Sequence, residues 1–424
     1  MRVLIVGNGI AGETVAFSLR FRRPEVEISM LSAEEVPAYD PCSLPYYVGG
    51  DVAREIVFRR ELNDYKKHNI AFFPKRRAVS IDTEEHLVVT EGGEAFPYDK
   101  LVLAHGGSLF RPSIEGIDKK GIFSCKTLSD ADALAAHQGT RAVIIGSGAI
   151  GVEVAEALKK KGYEVTIVEL LPWILPTLFD EPTAKRLEKA LFGYGIPVRT
   201  AEKVLGIEGK DRVGAVVTDK TALPCDTVVL ATGVVPGRAL AETAGIKVGR
   251  GIKVNERMET SLPEILACGD CVETFDAFTG EECCLYQLKH NAVNQARVVV
   301  GTLLGGKERY IGAYAFARAH FFSTHAASMG KTLKGVEGSL GVEILERERD
   351  GDYLRLIFRE GFLLGAQAIG SFADMMGLLM AMMWRRYNFG RVREDLENLR
   401  SRDLPYPWTY GQLVGILDGR KELL

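Results

Sequence analysis

The sequence predicts an α/β chain with two similar doubly wound units and a smaller α+β unit behind them. Three observations predict it. The first is an internal repeat: Arg2-Val3-Leu4-Ile5-Val6-Gly7-Asn8-Gly9-Ile10-Ala11-Gly12 is echoed by Arg141-Ala142-Val143-Ile144-Ile145-Gly146-Ser147-Gly148-Ala149-Ile150-Gly151, and self-similarity marks repeated units. The second is that an unbroken β-branched run precedes each glycine loop, which suits a parallel strand covered on both faces. The third is a change of texture after about residue 320. Tyr353–Phe358 and Phe362–Gln367 alternate like antiparallel strands around a turn.

Each element follows in order. Both glycine loops open a helical pattern, over Glu13–Arg20 and Val152–Lys161. Downstream of each, Leu101-Val102-Leu103-Ala104-His105-Gly106 and Val228-Val229-Leu230-Ala231-Thr232-Gly233 end a further apolar strand in the same way. In the tail, helical patterns run from about Phe372 to Arg386 and from Arg391 to Leu399. Five of the nine methionines fall between Met375 and Met383; flexible thioethers suit an adaptable contact surface, read here as a dimer-interface helix.

Composition bounds the function. The chain has 424 residues, 46% hydrophobic and 26% charged, with formal net charge −3, so neither nucleic acid nor a membrane surface is an expected partner. The longest apolar stretch, Met375 to Trp384, is half of what a bilayer span needs, and the N-terminal run is short for a signal peptide. The expected location is cytoplasmic. Seven cysteines (42, 125, 225, 268, 271, 283 and 284) do not suggest a disulfide scaffold. Cys268-x-x-Cys271 with Cys283-Cys284 invites a metal, but Gly269 and Asp270 sit inside the first pair, so no metal is expected.

A Gly-x-Gly-x-x-Gly between strand and helix lets backbone approach a pyrophosphate at the positive end of a helix. Gly7, Gly9 and Gly12 form one such loop, and Gly146, Gly148 and Gly151 a second. Both units are therefore expected to be Rossmann-like dinucleotide sites. In the second, the next strand ends on Glu169, which accepts hydrogen bonds from a ribose diol and repels a 2′-phosphate, favouring NAD(H) over NADP(H). In the first, Glu34 is the candidate acid.

These units, with Ile265-Leu266-Ala267-Cys268-Gly269-Asp270, resemble the pyridine nucleotide-disulfide oxidoreductase family of FAD flavoproteins along essentially the whole chain. The resemblance implies an FAD domain (1–115 and 245–320) split around an NAD(H)-binding domain (116–244), then a C-terminal dimerisation domain (321–424) and a homodimer. It assigns Asp270 to the flavin ribityl chain and Gly233 to the NAD(H) set. Asp40-Pro41-Cys42-Ser43-Leu44-Pro45-Tyr46-Tyr47 resembles the single-cysteine branch, which holds coenzyme A-disulfide and persulfide reductases and NADH oxidases.

A lone Cys42 cannot form an internal disulfide there, since residue 47 is tyrosine. Its oxidised form is then a mixed disulfide, a persulfide or a sulfenic acid. If Cys42 opens a helix, the dipole is expected to lower its pKa. By the same resemblance Tyr406 and Tyr410 reach the partner subunit's cysteine, as proton donors or as an interface pair, and Arg20 meets coenzyme A phosphates. Ile10 replaces the histidine of the oxidase and peroxidase members, Ala149 the tyrosine that gates the nicotinamide, and His105 a threonine; a structural histidine held by a local hydrogen bond is expected there. The leading expectation is NAD(P)H-dependent reduction of a disulfide, persulfide or related sulfur species carried by a small thiol. The alternatives are oxygen reduction at the flavin and an electron-transfer subunit partnered with an iron-sulfur protein.

Overall fold

The computed structural model describes residues 1–336 and 340–389. Two five-stranded parallel sheets dominate it. In the first, the glycine-loop strand Arg2–Val6 is central, flanked by Glu27–Leu31 and Ile70–Phe73 on one side and by Lys100–Leu103 and Ile265–Ala267 on the other. In the second, Arg141–Ile145 is central, flanked by Glu164–Val168 and Val198–Arg199, and by Thr227–Leu230 and Ile122–Phe123. After its first residue each central strand is buried throughout, as a sheet covered on both faces requires.

The repeat is therefore real in space, with one difference. The second sheet takes its outer strand from before its glycine loop, Ile122–Phe123. The first takes its outer strand, Ile265–Ala267, only after the whole second sheet has been completed. Each unit also carries a three-stranded antiparallel sheet, Ala78–Asp82 with Leu87–Thr90 and Ala95–Pro97, and Val204–Glu208 with Ala215–Thr218 and Ala222–Pro224. The two chain passages between units pair with each other, Gly107–Leu109 antiparallel to Val234–Pro236.

The tail folds as an antiparallel sheet in the order Phe316–Phe321, Thr324–Gly330, Phe362–Ile369, Asp352–Arg359 and Val342–Arg349. The hairpin read from Tyr353 and Phe362 is present, and pairing begins at Phe316, upstream of residue 321. One apolar cluster joins all three parts: Leu44 and Val48 from the first, Val152 and Leu187 from the second, Phe321 and Tyr353 from the tail.

The methionine-rich segment departs from its expectation as a contact surface. It forms a short turn at Gly370–Met375 and the helix Met376–Trp384. Met376, Met382 and Met383 are buried against Leu354, Leu356 and Leu363 of the subunit's own sheet. The adaptable side chains fill an internal layer. The helical pattern over Arg391–Leu399 lies outside the described residues. No described helix is long and apolar enough to cross a membrane.

Candidate functional site

The two glycine loops have the same geometry, and that geometry separates three tasks. Gly7 has φ +112° and Gly146 φ +102°, a region that disfavours any side chain. A Cβ at Gly7 would stand 2.2 Å from the Ala104 carbonyl oxygen, and one at Gly146 2.4 Å from that of Ala231. Gly12 and Gly151 lie against the first glycine of their loop, where a Cβ would meet its carbonyl oxygen at 2.0 Å and 2.2 Å. Gly9 and Gly148 face open space, with nothing within 4 Å of a Cβ.

Gly9 and Gly148 are also the N-cap residues of helices Ile10–Arg22 and Ala149–Lys160, and neither helix has a side-chain cap. First-turn N–H groups normally find a cap or a ligand. An open cradle before an uncapped helix is what a dinucleotide pyrophosphate fits. The residues present therefore suit a dinucleotide at each loop, as FAD and NAD(H) both are.

The acids differ in environment. Glu169 is buried, and its carboxylate accepts the Ser147 N–H at 2.8 Å, the Ser147 hydroxyl at 2.6 Å and the Leu171 N–H at 2.8 Å. It ties the end of its strand to the glycine loop. Glu34 accepts the Tyr39 hydroxyl at about equal distances to both oxygens, 3.1 and 3.0 Å. Partial burial raises its pKa, and the tyrosine opposes that rise. Asp270 follows strand Ile265–Ala267, and Gly269 before it has φ +84°. Burial raises the Asp270 pKa against the pull of Lys126, whose ammonium is 3.8 Å away.

Cys42 opens a helical segment, as its motif suggests. A single turn at Pro41–Ser43 runs into helix Leu44–Gly49, and Asp40 caps it by accepting the Cys42 N–H at 3.1 Å. Cys42 is exposed as a residue. Its expected low pKa is corrected by this geometry: surrounding protein and then the Asp40 carboxylate push it up to about 11, with Lys289 opposing. The acid that caps the turn also sets a negative charge beside the sulfur. Tyr47, at the position a second cysteine would need, donates to Asp132 at 2.9 Å.

The other expected residues scatter. Gly233 has φ +98° with open space around it, and its carbonyl accepts the Phe110 N–H at the passage between units. Arg20 donates to the carbonyls of Pro24 at 2.5 Å and Asn69 at 2.7 Å, so its guanidinium braces its own unit. His105 makes the local hydrogen bond expected of it, with Nε2 2.9 Å from the Gly237 carbonyl, and burial lowers its pKa. Tyr406 and Tyr410 lie outside the described residues. Among the described residues no three metal-ligating side chains cluster; Cys268 and Cys271 are buried, and the Cys271 thiol donates to backbone carbonyls.

Three residues beside Cys42 escaped sequence reasoning. Asp40 had a signal, since an acid followed by proline reads as a helix start. Lys289, which pairs with Asp40, comes from a distant helix and had none. Glu153, on helix Ala149–Lys160, has its pKa raised to about 7 by burial and then by Glu156, and it also acts on Cys42.

Comparison with known proteins places this geometry. The pattern of the pyridine nucleotide-disulphide oxidoreductase family matches residues 1–296. An NADH oxidase of Methanocaldococcus jannaschii is 36% identical over 73% of this chain and 71% of its own length. The NADH-dependent phenylglyoxylate dehydrogenase subunit epsilon of Aromatoleum evansii is 31% identical over 97% of both chains. Among solved structures, a NAD-dependent persulfide reductase from A. fulgidus superposes with TM-score 0.90 at 29% identity, covering 99% of this chain and 84% of that one. Sequence and fold thus agree with the paired loops, and the chain belongs to the pyridine nucleotide-disulphide oxidoreductase family as an FAD-dependent NAD(P)H oxidoreductase.

Proposed function

We propose that this chain uses NADH to reduce a disulfide, persulfide or related sulfur species carried by a small thiol, with coenzyme A as the leading carrier, through Cys42. One observation carries the reading: an exposed cysteine at the start of a helix, with Tyr47 and not a second cysteine five positions along. Such a thiol meets an external sulfur atom rather than an internal one. The likeness to the persulfide reductase supports it.

Gly7, Gly9 and Gly12 with Glu34 and Asp270 are assigned to FAD on 1–115 and 245–320. Gly146, Gly148, Gly151, Glu169 and Gly233 are assigned to NAD(H) on 116–244. FAD, when bound, relays two electrons between nicotinamide and thiol. Cys42 receives them as a mixed disulfide, whose cleavage returns the Cys42 thiolate and releases the small thiol. Residues 321–424 are assigned to a dimerisation domain, of which Tyr406 and Tyr410 lie outside the described residues.

The test is an anaerobic NADH titration of the yellow holoenzyme, followed by coenzyme A-disulfide and polysulfide separately, in wild type and Cys42→Ser. Consumption of more than one NADH per FAD, and fast reoxidation by one sulfur compound that Cys42→Ser abolishes, is the expected result. Sulfur reduction surviving Cys42→Ser overturns it, and oxygen uptake alone surviving assigns an oxidase.

A second reading has its own support. Likeness to the phenylglyoxylate dehydrogenase subunit covers 97% of both chains, which suits an electron-transfer subunit exchanging electrons between NAD(H) and an iron-sulfur protein. Inert sulfur compounds, with an iron-sulfur protein as sole fast partner, would select it.

A further inference from the structure

Asp40 is shared between two groups. One carboxylate oxygen accepts the Cys42 N–H at 3.1 Å, and the other pairs with the Lys289 ammonium. Lys289 is the first residue of helix Lys289–Leu303, which has no acid in its first turn and no side-chain cap. A cation at that end opposes the helix dipole, so helix stability alone does not account for it. Residues that break a local rule are where function is expected.

The charges around Cys42 come from three elements. Asp40 lies on its own turn, Glu153 on helix Ala149–Lys160 and Lys289 on helix Lys289–Leu303; Tyr46, on the following helix, also feels the sulfur. Both carboxylates disfavour a thiolate, and Lys289 is the cation that opposes them. Yet cleavage of a Cys42 mixed disulfide must leave a thiolate here. NADH supplies two electrons and a proton: the S–S bond breaks, one sulfur becomes the Cys42 thiolate, and the other takes the proton and leaves as the small thiol.

We propose that Lys289 is the counter-cation of that thiolate, held on Asp40 while Cys42 is uncharged and turning to the sulfur when the S–S bond is cut. It acts by position, not by proton transfer. The inference rests on the Cys42 reading above. It gives Asp40 a second task besides capping, because it keeps the lysine within reach.

The test is the pH profile of Cys42 alkylation by iodoacetamide in NADH-reduced holoenzyme under anaerobic conditions, read on the Cys42 peptide by mass spectrometry. Lys289→Met is expected to move the midpoint up by about one pH unit, making alkylation about tenfold slower below it. Lys289→Arg is expected to restore the rate to within about threefold, as a point charge would and a packing role would not. Asp40→Asn keeps the cap acceptor while removing the carboxylate charge, and should speed alkylation severalfold. An unchanged profile in Lys289→Met, or no rescue by arginine, overturns the proposal. If Lys289→Met does not fold, Lys289→Gln takes its place, and an unchanged profile there overturns the proposal. The parent reading falls separately, when Cys42→Ser keeps full sulfur reduction.

Discussion

Glu169 holds Ser147 by two hydrogen bonds to one carboxylate oxygen, 2.8 Å from the N–H and 2.6 Å from the hydroxyl. The acid that sequence reasoning assigned to a ribose diol is thus also the strut of its own glycine loop. Glu169→Ala leaves the two buried Ser147 donors without this acceptor, at roughly 1–3 kcal/mol each, and releases the Leu171 N–H of an exposed residue at little cost. The expected outcome is a KM for NADH raised at least tenfold together with a lower unfolding midpoint. Ser147→Ala, which removes only the hydroxyl, should cost about 1 kcal/mol and change KM little. Steady-state kinetics with NADH and NADPH and denaturant titration of both variants check this.

The glycines of one loop should separate fold from ligand. Gly12→Ala places a Cβ at 2.0 Å from the Gly7 carbonyl, and the helix cannot shift without leaving the sheet. It is expected to yield little folded protein. Gly9 has φ −76° and ψ −173°, which alanine adopts freely, and an empty surrounding. Gly9→Ala should change stability without FAD by under about 1 kcal/mol while FAD content per chain falls severalfold. Gly148→Ala should leave FAD content intact and raise KM for NADH. The ratio of visible to ultraviolet absorbance and thermal unfolding of apoprotein measure each.

These loops were legible in the sequence because strand, turn and helix start follow one another within a dozen residues, although what crowds Gly7 and Gly146 is the distant Ala104 and Ala231. The strands before them were legible for the same reason: a buried parallel strand admits few residues other than Val, Ile and Leu. What escaped was long-range pairing of single polar residues. Nothing local to Lys289 points to Asp40, and the charge beside Cys42 depends on both. The helix start at Cys42 was readable, yet the direction of its pKa was not, since it is set first by how far the fold buries the sulfur and then by the Asp40 charge. The methionine cluster misled for another reason: composition gives flexibility but not which face meets the sheet.

The second unit is locked to the tail by a buried polar knot. Asp180 accepts Gln367 Nε2 at 2.7 Å and Arg355 Nε at 3.2 Å on one oxygen, and the Leu333 N–H at 2.8 Å on the other. Gln367 returns the bond by accepting the Asp180 N–H and the Thr183 hydroxyl at 2.9 and 2.7 Å. Asp180, Arg355 and Gln367 are all at least 95% buried. Removing Asp180 leaves buried Arg355 with Glu346 as its remaining carboxylate and strands the Gln367 and Leu333 donors, so Asp180→Ala should destabilise by up to about 3 kcal/mol. Asp180→Ala with Arg355→Met should cost less than the two singles added, because the second change removes the half-paired charge. Denaturant unfolding of the three variants gives the coupling directly.

Glu153 gives the fold a pH dependence whose sign is fixed. Burial, then Glu156, raises its carboxyl from an ordinary 4.5 to about 7. The folded chain therefore holds this proton where the unfolded chain has released it. Stability from this group is highest below about pH 4.5, falls as pH rises towards 7, and is level above that. A rise of this size corresponds to up to about 3 kcal/mol. Glu153→Gln keeps the shape and cannot ionise. It should raise the unfolding midpoint at pH 8 by several degrees, change it little near pH 5, and flatten the slope between. Thermal unfolding of wild type and Glu153→Gln across that range decides it. Parallel curves would mean that Glu153 is ionised in the fold at neutral pH.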